Sequence, residues 1–497
     1  MGPETDVTPF NLTQFYADWA TILPECFLLL WACVITGAAV LGRTDESKSG
    51  TFAIWTIIGT LATAVWVAVT QDGAAFGGTF VFDRLAVVFK EVILAGVILT
   101  AAASVGTVSR LRAHRGEYYG MILFSAVGMM LMVSATELLT LYIALELSTV
   151  TLFVLAAYHK TNRKSAEAGL KYVILGGISS AILLYGVAIL YGLTGTTELA
   201  RISQGIQRQF MASGSFPPGL ALALLLILAG FGFKLALAPF HMWAPDVYEG
   251  APTPITAFLS VASKAAALAA FLRVFFVGGQ PAQLIWIQAI AALAALAMIV
   301  GNATAIVQTN IKRMLAYSSV AQIGYMLVGA VALDPWGATS ISYYAMAYLF
   351  ANMGAFVCVI AFAERTGSEE ISDFSGLSRR SPILAGFFAL FLLSLAGVPP
   401  TAGFLAKYYV FAAAIQKGYL WLVLVGVATS VVALYYYATV IMKMYFPAEQ
   451  TEGGFPVART LTIVLAVSAL GVLLLGILPG PVVDWIKAAA QSFVPPT

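Results

Sequence analysis

Charge is scarce in this chain: of its 497 residues, 10% are Asp, Glu, Lys or Arg and 60% are apolar. A soluble protein of that length needs far more polar surface, so a soluble enzyme or binding module is excluded. The mean hydropathy of +0.89 points instead to a polytopic membrane protein. Histidine is scarcer still, with His114, His159 and His241 the only three. A haem held between membrane helices needs two facing intramembrane histidines, and the first two of these lie in or beside basic loops. Of the three cysteines, Cys26 and Cys33 are roughly 10 Å apart along one expected helix, too far for a disulfide, and Cys358 is alone. All three read as ordinary apolar core residues. No Cys or His cluster has metal-ligand spacing, no glycine-rich phosphate loop follows a strand, and no Ser, His and Asp set suggests hydrolysis. The chain thus has no plausible redox centre of its own, and a net charge of +2 carries no nucleic-acid signature.

What remains is a succession of apolar runs. At about 20 residues per span they predict an all-α fold of about fourteen transmembrane helices, near 21–41, 51–70, 82–108, 119–135, 137–158, 168–192, 219–246, 253–277, 282–301, 315–333, 338–363, 382–417 (interrupted), 419–442 and 458–479. The first run follows an acidic leader and is long enough to span, so it is expected to be retained and not cleaved as a signal peptide. The longest polar stretch, 193–218, is too short to fold alone. Alternate loops test the count. One set carries fifteen of the 26 Lys and Arg residues, among them Arg43, Lys48, Arg112, Lys164, Lys312 and Arg313, whereas the other holds Arg201, Arg208, Lys417 and Lys487. Basic loops stay inside, so both termini are expected outside.

Seven basic residues then fall within or at the mouths of helices. Arg84 and Arg273 sit at outer ends and Lys171 in a first turn, so each is expected to reach water. Lys234, Lys264 and Lys407 have no such route. Lys234 precedes Pro239 by five residues in GFKLALAPFHMWAPDVYEGAPTP, and proline cannot donate to the carbonyl four residues back. A broken, charge-bearing helix in a membrane survives only where protein or water satisfies it, which reads as part of an ion path; a kinked structural helix with a snorkelling lysine is the alternative. Pro399 and Pro400 make a second break, with Lys407 seven residues beyond. Five helices contain each break, so two inverted five-helix repeats are expected, over 119–281 and 282–446, flanked by 1–118 and 447–497. Glu146 lies mid-helix and Glu137 at the start of the same helix on the opposite face, making Glu146 the expected buried carboxylate. Lys90 and Glu91 read as a local ion pair or as a transport element.

Four segments carry a resemblance: LTLYIALEL around Glu146, FKLALAPFHMWAPDVYEGAPTPITAFLSVASK through Lys264, AYSSVAQIGYM at 316–326, and SLAGVPPTAGFLAKYYVF around Lys407. The chain resembles the antiporter-like membrane subunits of complex I, specifically the N-type, which is related to mitochondrial subunit 2 and the plastid B subunit. The resemblance implies a proton-translocating subunit of a bacterial inner-membrane NADH-quinone oxidoreductase. In that reading Glu146 and Lys171 form a charge-modulating pair, Lys234 carries the proton, His241 and Lys264 pass it on, and Lys407 belongs to the exit half. It further implies no cofactor in this chain, FMN, iron–sulfur clusters and quinone in partner subunits, and the M-type and small K-, J- and A-type subunits as neighbours. Two other classes stay open: a stand-alone or Mrp-type cation/proton antiporter, and a non-pumping structural subunit of a redox complex.

Overall fold

The computed structural model describes residues 12–41, 49–110, 115–446 and 453–493. Arg43, Lys48, Arg112 and His114, assigned above to loops, lie outside the described residues.

The chain opens with α1 (Leu12–Leu41) and α2 (Ser49–Val69), then a small antiparallel hairpin of β1 (Gly73–Ala75) and β2 (Phe80–Phe82). Asp83 closes the hairpin and caps α3 (Arg84–Ala103), its carboxylate accepting from the Ala86 N–H as helix starts require. There follow α4 (Arg115–Ser134), α5 (Leu138–Ala156) and α6 (Arg163–Thr194), which ends on Gly195 in the left-handed conformation. The stretch expected as a polar loop contains an amphipathic helix, α7 (Leu199–Ser213). The first interrupted helix is α8 (Pro218–Leu235) with α9 (Trp243–Gly250), followed by α10 (Thr253–Gly278). The second half consists of α11 (Gln283–Ala305), α12 (Ile311–Val328), α13 (Pro335–Thr366), the interrupted pair α14 (Pro382–Ala396) and α15 (Ala402–Gln416), and α16 (Leu420–Tyr445). The described chain closes with α17 (Arg459–Ile477) and α18 (Gly480–Phe493).

Among the described residues, 13 helices are long and apolar enough to cross a membrane. The α14–α15 pair fills the interrupted position, so the expected all-α architecture of about fourteen passages stands. Helices α10 and α12 are buried on nearly every side and occupy the centre. By contrast α1, α2, α6 and α16 present large apolar side chains outward, including Leu30, Ile54, Val173 and Leu424.

The loops assigned to the inside do meet at one end of the bundle. There Lys164 pairs with Glu249 at 2.8 Å, Arg313 with Asp246 at 2.8 Å and Glu249 at 2.9 Å, and Lys312 with Glu369 at 3.1 Å. At the other end Lys417 pairs with Asp334, the cap of α13, at 3.1 Å.

Four single-residue expectations fail. Arg273 is 2% exposed, because Asp83 and the Val133 carbonyl hold it inside. Lys171 falls in the third turn of its helix and not the first, since α6 starts at Arg163, although its side chain reaches water as expected. Lys90 pairs with Glu25 of α1 at 2.6 Å and not with Glu91: consecutive helical residues diverge and cannot face each other. Cys33 stands exposed on α1, while Cys358 is buried.

Candidate proton-relay site

The two broken helices end in the same way. After α8, Ala236 adopts the left-handed conformation, the Leu237 N–H bonds the Gly232 carbonyl at 2.7 Å and the Ala236 N–H bonds that of Phe233 at 2.9 Å. After α14, Gly397 is left-handed, the Val398 N–H bonds the Leu393 carbonyl at 3.0 Å and the Gly397 N–H bonds that of Ser394 at 3.0 Å. Both are helix terminations in which the chain folds back on its own last carbonyls. The interruption therefore begins three residues before Pro239, which the sequence had marked as its origin. This shared register pairs Ala236 with Gly397. Lys234 then matches Leu395 and Lys407 matches Asp246, so the two lysines lie on opposite sides of their breaks. At position 397 glycine is required: its φ is +89°, and a Cβ would come within 3.0 Å of the Lys407 side chain.

Lys234 is 4% exposed and donates to the Thr149 hydroxyl of α5 at 2.6 Å. Both line a small cavity with Ser179 and Ser180 of α6 and Gly230 of α8. Ser180 in turn donates to the Glu146 carboxylate, placing that charge beside the cavity. Glu146 is only half-buried in this chain, against expectation, because its helix lies at the edge of the bundle. Glu137 caps α5, its carboxylate accepting from the Thr140 hydroxyl at 2.5 Å and the Thr197 hydroxyl at 2.6 Å. Burial pushes the Glu137 carboxyl up, but these hydrogen bonds outweigh it and hold the group below the ordinary range. The two carboxylates thus have separate surroundings.

Lys264 is 2% exposed and follows directly on a π-helical turn, Leu259–Ser263, inside α10. It donates to the hydroxyl of Ser319 on α12 at 2.6 Å and to the Ser319 carbonyl at 3.2 Å, and Tyr348 of α13 donates to the same hydroxyl at 2.7 Å. From there α12 carries polar side chains at every third position. Gln322 donates to the Leu395 carbonyl at 2.8 Å and accepts from Tyr344 at 2.5 Å. Tyr325 lies with its ring 4.4 Å from the Lys407 ammonium. Lys407, 5% exposed, donates to the Ala396 carbonyl at 2.9 Å and the Ser430 hydroxyl at 3.0 Å. The segment 316–326, quoted above for its likeness alone, therefore supplies the polar seam between the two lysines, about 9 Å of helix from Ser319 to Tyr325. A three-residue polar spacing inside an apolar helix was the signal that could have shown this.

Two expected members sit elsewhere. Lys171 bonds Asp246 at 2.7 Å and Glu167 at 2.7 Å, at the inner rim. Ser180, which holds Glu146, is nine residues further along α6, roughly 13 Å, so Glu146 and Lys171 are not a pair. His241 lies in the first break with its ring 6.1 Å from that of Tyr317 on α12, and no hydrogen bond among the described residues joins it to Lys234 or Lys264. At the inner end a cavity of about 540 Å³ opens where α10 begins, lined by His159, Glu249, Lys312 and Glu369. No group of three or more His, Cys, Asp or Glu among the described residues could hold a metal ion.

A bundle with two interrupted helices and three buried lysines held by hydroxyl and carbonyl groups defines an antiporter-like membrane subunit. Residues 135–433 match the family described as NADH:quinone oxidoreductase/Mrp antiporter, TM. The chain is 47% identical, over 86% of its length and 88% of the relative's, to NADH-quinone oxidoreductase subunit N of Moorella thermoacetica. It is 42% identical to the same subunit of Heliobacterium modesticaldum, over 96% and 99%. Among solved structures it is similar to a chain of respiratory complex I from Thermus thermophilus with bound aureothin, at 33% identity and a TM-score of 0.78, covering 94% of this chain and 100% of that one. The chain belongs to the subunit N family of the NADH-quinone oxidoreductases.

Proposed function

We propose that this chain is a proton-translocating subunit of a bacterial membrane NADH-quinone oxidoreductase, and that Glu146, Lys234, Lys264 and Lys407 carry the proton. Its partners are other membrane subunits of the complex, with the M-type and the small K-, J- and A-type subunits as neighbours. FMN, iron–sulfur clusters and quinone belong to partner subunits in this reading. The observation that carries it is that buried Lys264 and Lys407 stand at the two ends of a polar stretch of α12, Lys264 on the Ser319 hydroxyl and Lys407 beside the Tyr325 ring, since lysine and hydroxyl groups can give and take a proton.

A lysine in low dielectric holds its proton less tightly than in water, and a carboxylate nearby restores the hold. Moving or neutralising that carboxylate releases the proton. Glu146 stands in this relation to Lys234 across the cavity that Ser180 shares. One charge moved through 100 mV stores about 2.3 kcal/mol, which a change of one to two pKa units can cover at about 1.36 kcal/mol each. The inner cavity at the start of α10 gives protons an approach from the side of the basic loops. Lys171 and His241 then serve the inner rim and the break: Lys171 by holding Asp246, His241 by facing Tyr317. An Mrp-type antiporter shares the broad family, but the near full-length likeness to subunit N favours the redox complex. The test is proton flux in vesicles bearing the assembled complex with Lys264→Met: loss of most flux is expected, and unchanged flux rejects the relay.

A further inference from the structure

Two buried ion pairs at the outer end of the bundle take no part in the row of lysines. Lys90 on α3 is fully buried and meets Glu25 of α1 at 2.6 Å, with its ammonium 4.0 Å from the Phe82 ring and 5.1 Å from that of Phe80. Glu25 is 2% exposed and is the one charge in the first apolar run. Seven residues before Lys90, Asp83 binds Arg273 at 2.7 Å. The Arg273 Nε also donates to the Val133 carbonyl, and its guanidinium lies 5.4 Å from the ring of Phe493 on α18. Arg273 is where α10 enters its second π-helical stretch, Arg273–Gly278, nine residues beyond Lys264. Helix α3 therefore grips α10 at two levels. One is the Asp83–Arg273 pair, and the other is a close approach where a Cβ on Gly96 would stand 3.3 Å from that of Ala262. Lys264 lies between them. Paired buried charges hold helices together no better than apolar side chains would, so what they add is a defined geometry, and the planar guanidinium fork accepts few.

We propose that Arg273, fixed by Asp83 and the Val133 carbonyl, is a positioning residue for proton transfer. It anchors the outer end of α10 to α3 and so holds Lys264 in register with Ser319. This inference rests on the relay reading above, and the experiment separates the two. Assembly on native gels, quinone reduction and proton flux in vesicles are measured for the complex with Arg273→Gln, Asp83→Asn, Asp83→Glu and the double variant Asp83→Asn with Arg273→Gln, with Lys264→Met alongside. The double variant strands no charge, so it keeps the test open where a single one fails to fold. Expected are assembled complexes in which Asp83→Asn, Arg273→Gln or the double variant loses about tenfold of the flux or more, since misplacement by about 1 Å can cost 100-fold. Asp83→Glu, which keeps the charge, retains most of it. Wild-type flux in assembled Arg273→Gln or in the double variant overturns the positioning role while leaving the relay in place. So does equal loss in Asp83→Glu and Asp83→Asn, or failure of the double variant to assemble, which assigns the pairs to folding alone. Wild-type flux in Lys264→Met overturns both.

Discussion

Lys407 donates to the carbonyl of Ala396, the last residue of the helix before the second break, at 2.9 Å. The break thus supplies a carbonyl that an unbroken helix would have used, and a buried ammonium takes it. Arginine stays charged, because its pKa exceeds about 12, and it cannot shuttle a proton. Lys407→Arg is therefore expected to assemble but to depress pumping and coupled turnover. Wild-type proton flux in that variant would remove Lys407 from the path and leave the Ala396 contact as structure.

The two carboxylates of α5 should separate cleanly. Glu146→Gln removes the charge beside the Lys234 cavity and should slow coupled turnover strongly. Glu137→Gln loosens a helix cap worth about 1 kcal/mol and should lower thermal stability with little change in pumping. Parallel turnover and melting measurements decide it, and a larger loss of turnover at Glu137 would reverse the assignment.

Ser319→Ala deletes the hydroxyl shared by Lys264 and Tyr348 while leaving the Ser319 carbonyl as an acceptor. The lost bond to a charged group is worth roughly 1.5–3 kcal/mol, so pumping should fall by about tenfold or more in an assembled complex. Unchanged flux would move the path off α12.

Lys171→Gln should be mild. Its pairs with Glu167 and Asp246 are half-exposed, and exposed ion pairs contribute about 0–1 kcal/mol. Proton flux within about twofold of wild type is expected; a loss as deep as that of Lys234→Met would restore Lys171 to the relay.

Purified alone, the chain should show no visible absorption from haem, flavin or iron–sulfur groups, as its scattered His and Cys residues predict. A stoichiometric bound chromophore, read from an absorption spectrum, would contradict this.

The passages were legible in the sequence because each needs about 20 apolar residues in a row, and Lys234, Lys264 and Lys407 stood out because they lie away from the ends of their runs. Partners were not legible. Arg273 finds Asp83 190 residues away, and Lys90 finds Glu25 on another helix. Glu146 was matched to Lys171 by likeness, whereas Ser180, two and a half turns further along α6, places it beside Lys234. Glu146 was also expected to be buried and is half-buried, because mid-helix position says nothing about which face meets the bundle. The seam on α12 lay in plain view as Ser319, Gln322 and Tyr325, but three polar residues at that spacing gain meaning only once Lys264 and Lys407 stand at its two ends.

The most direct measurement is proton flux per electron in vesicles carrying the assembled complex with Lys234→Met. Lys234 reaches Thr149 at 2.6 Å and faces the cavity beside Glu146. A relay through it predicts quinone reduction that continues, slowed, while most of the proton flux disappears. A fully assembled variant that pumps at the wild-type ratio would contradict the relay.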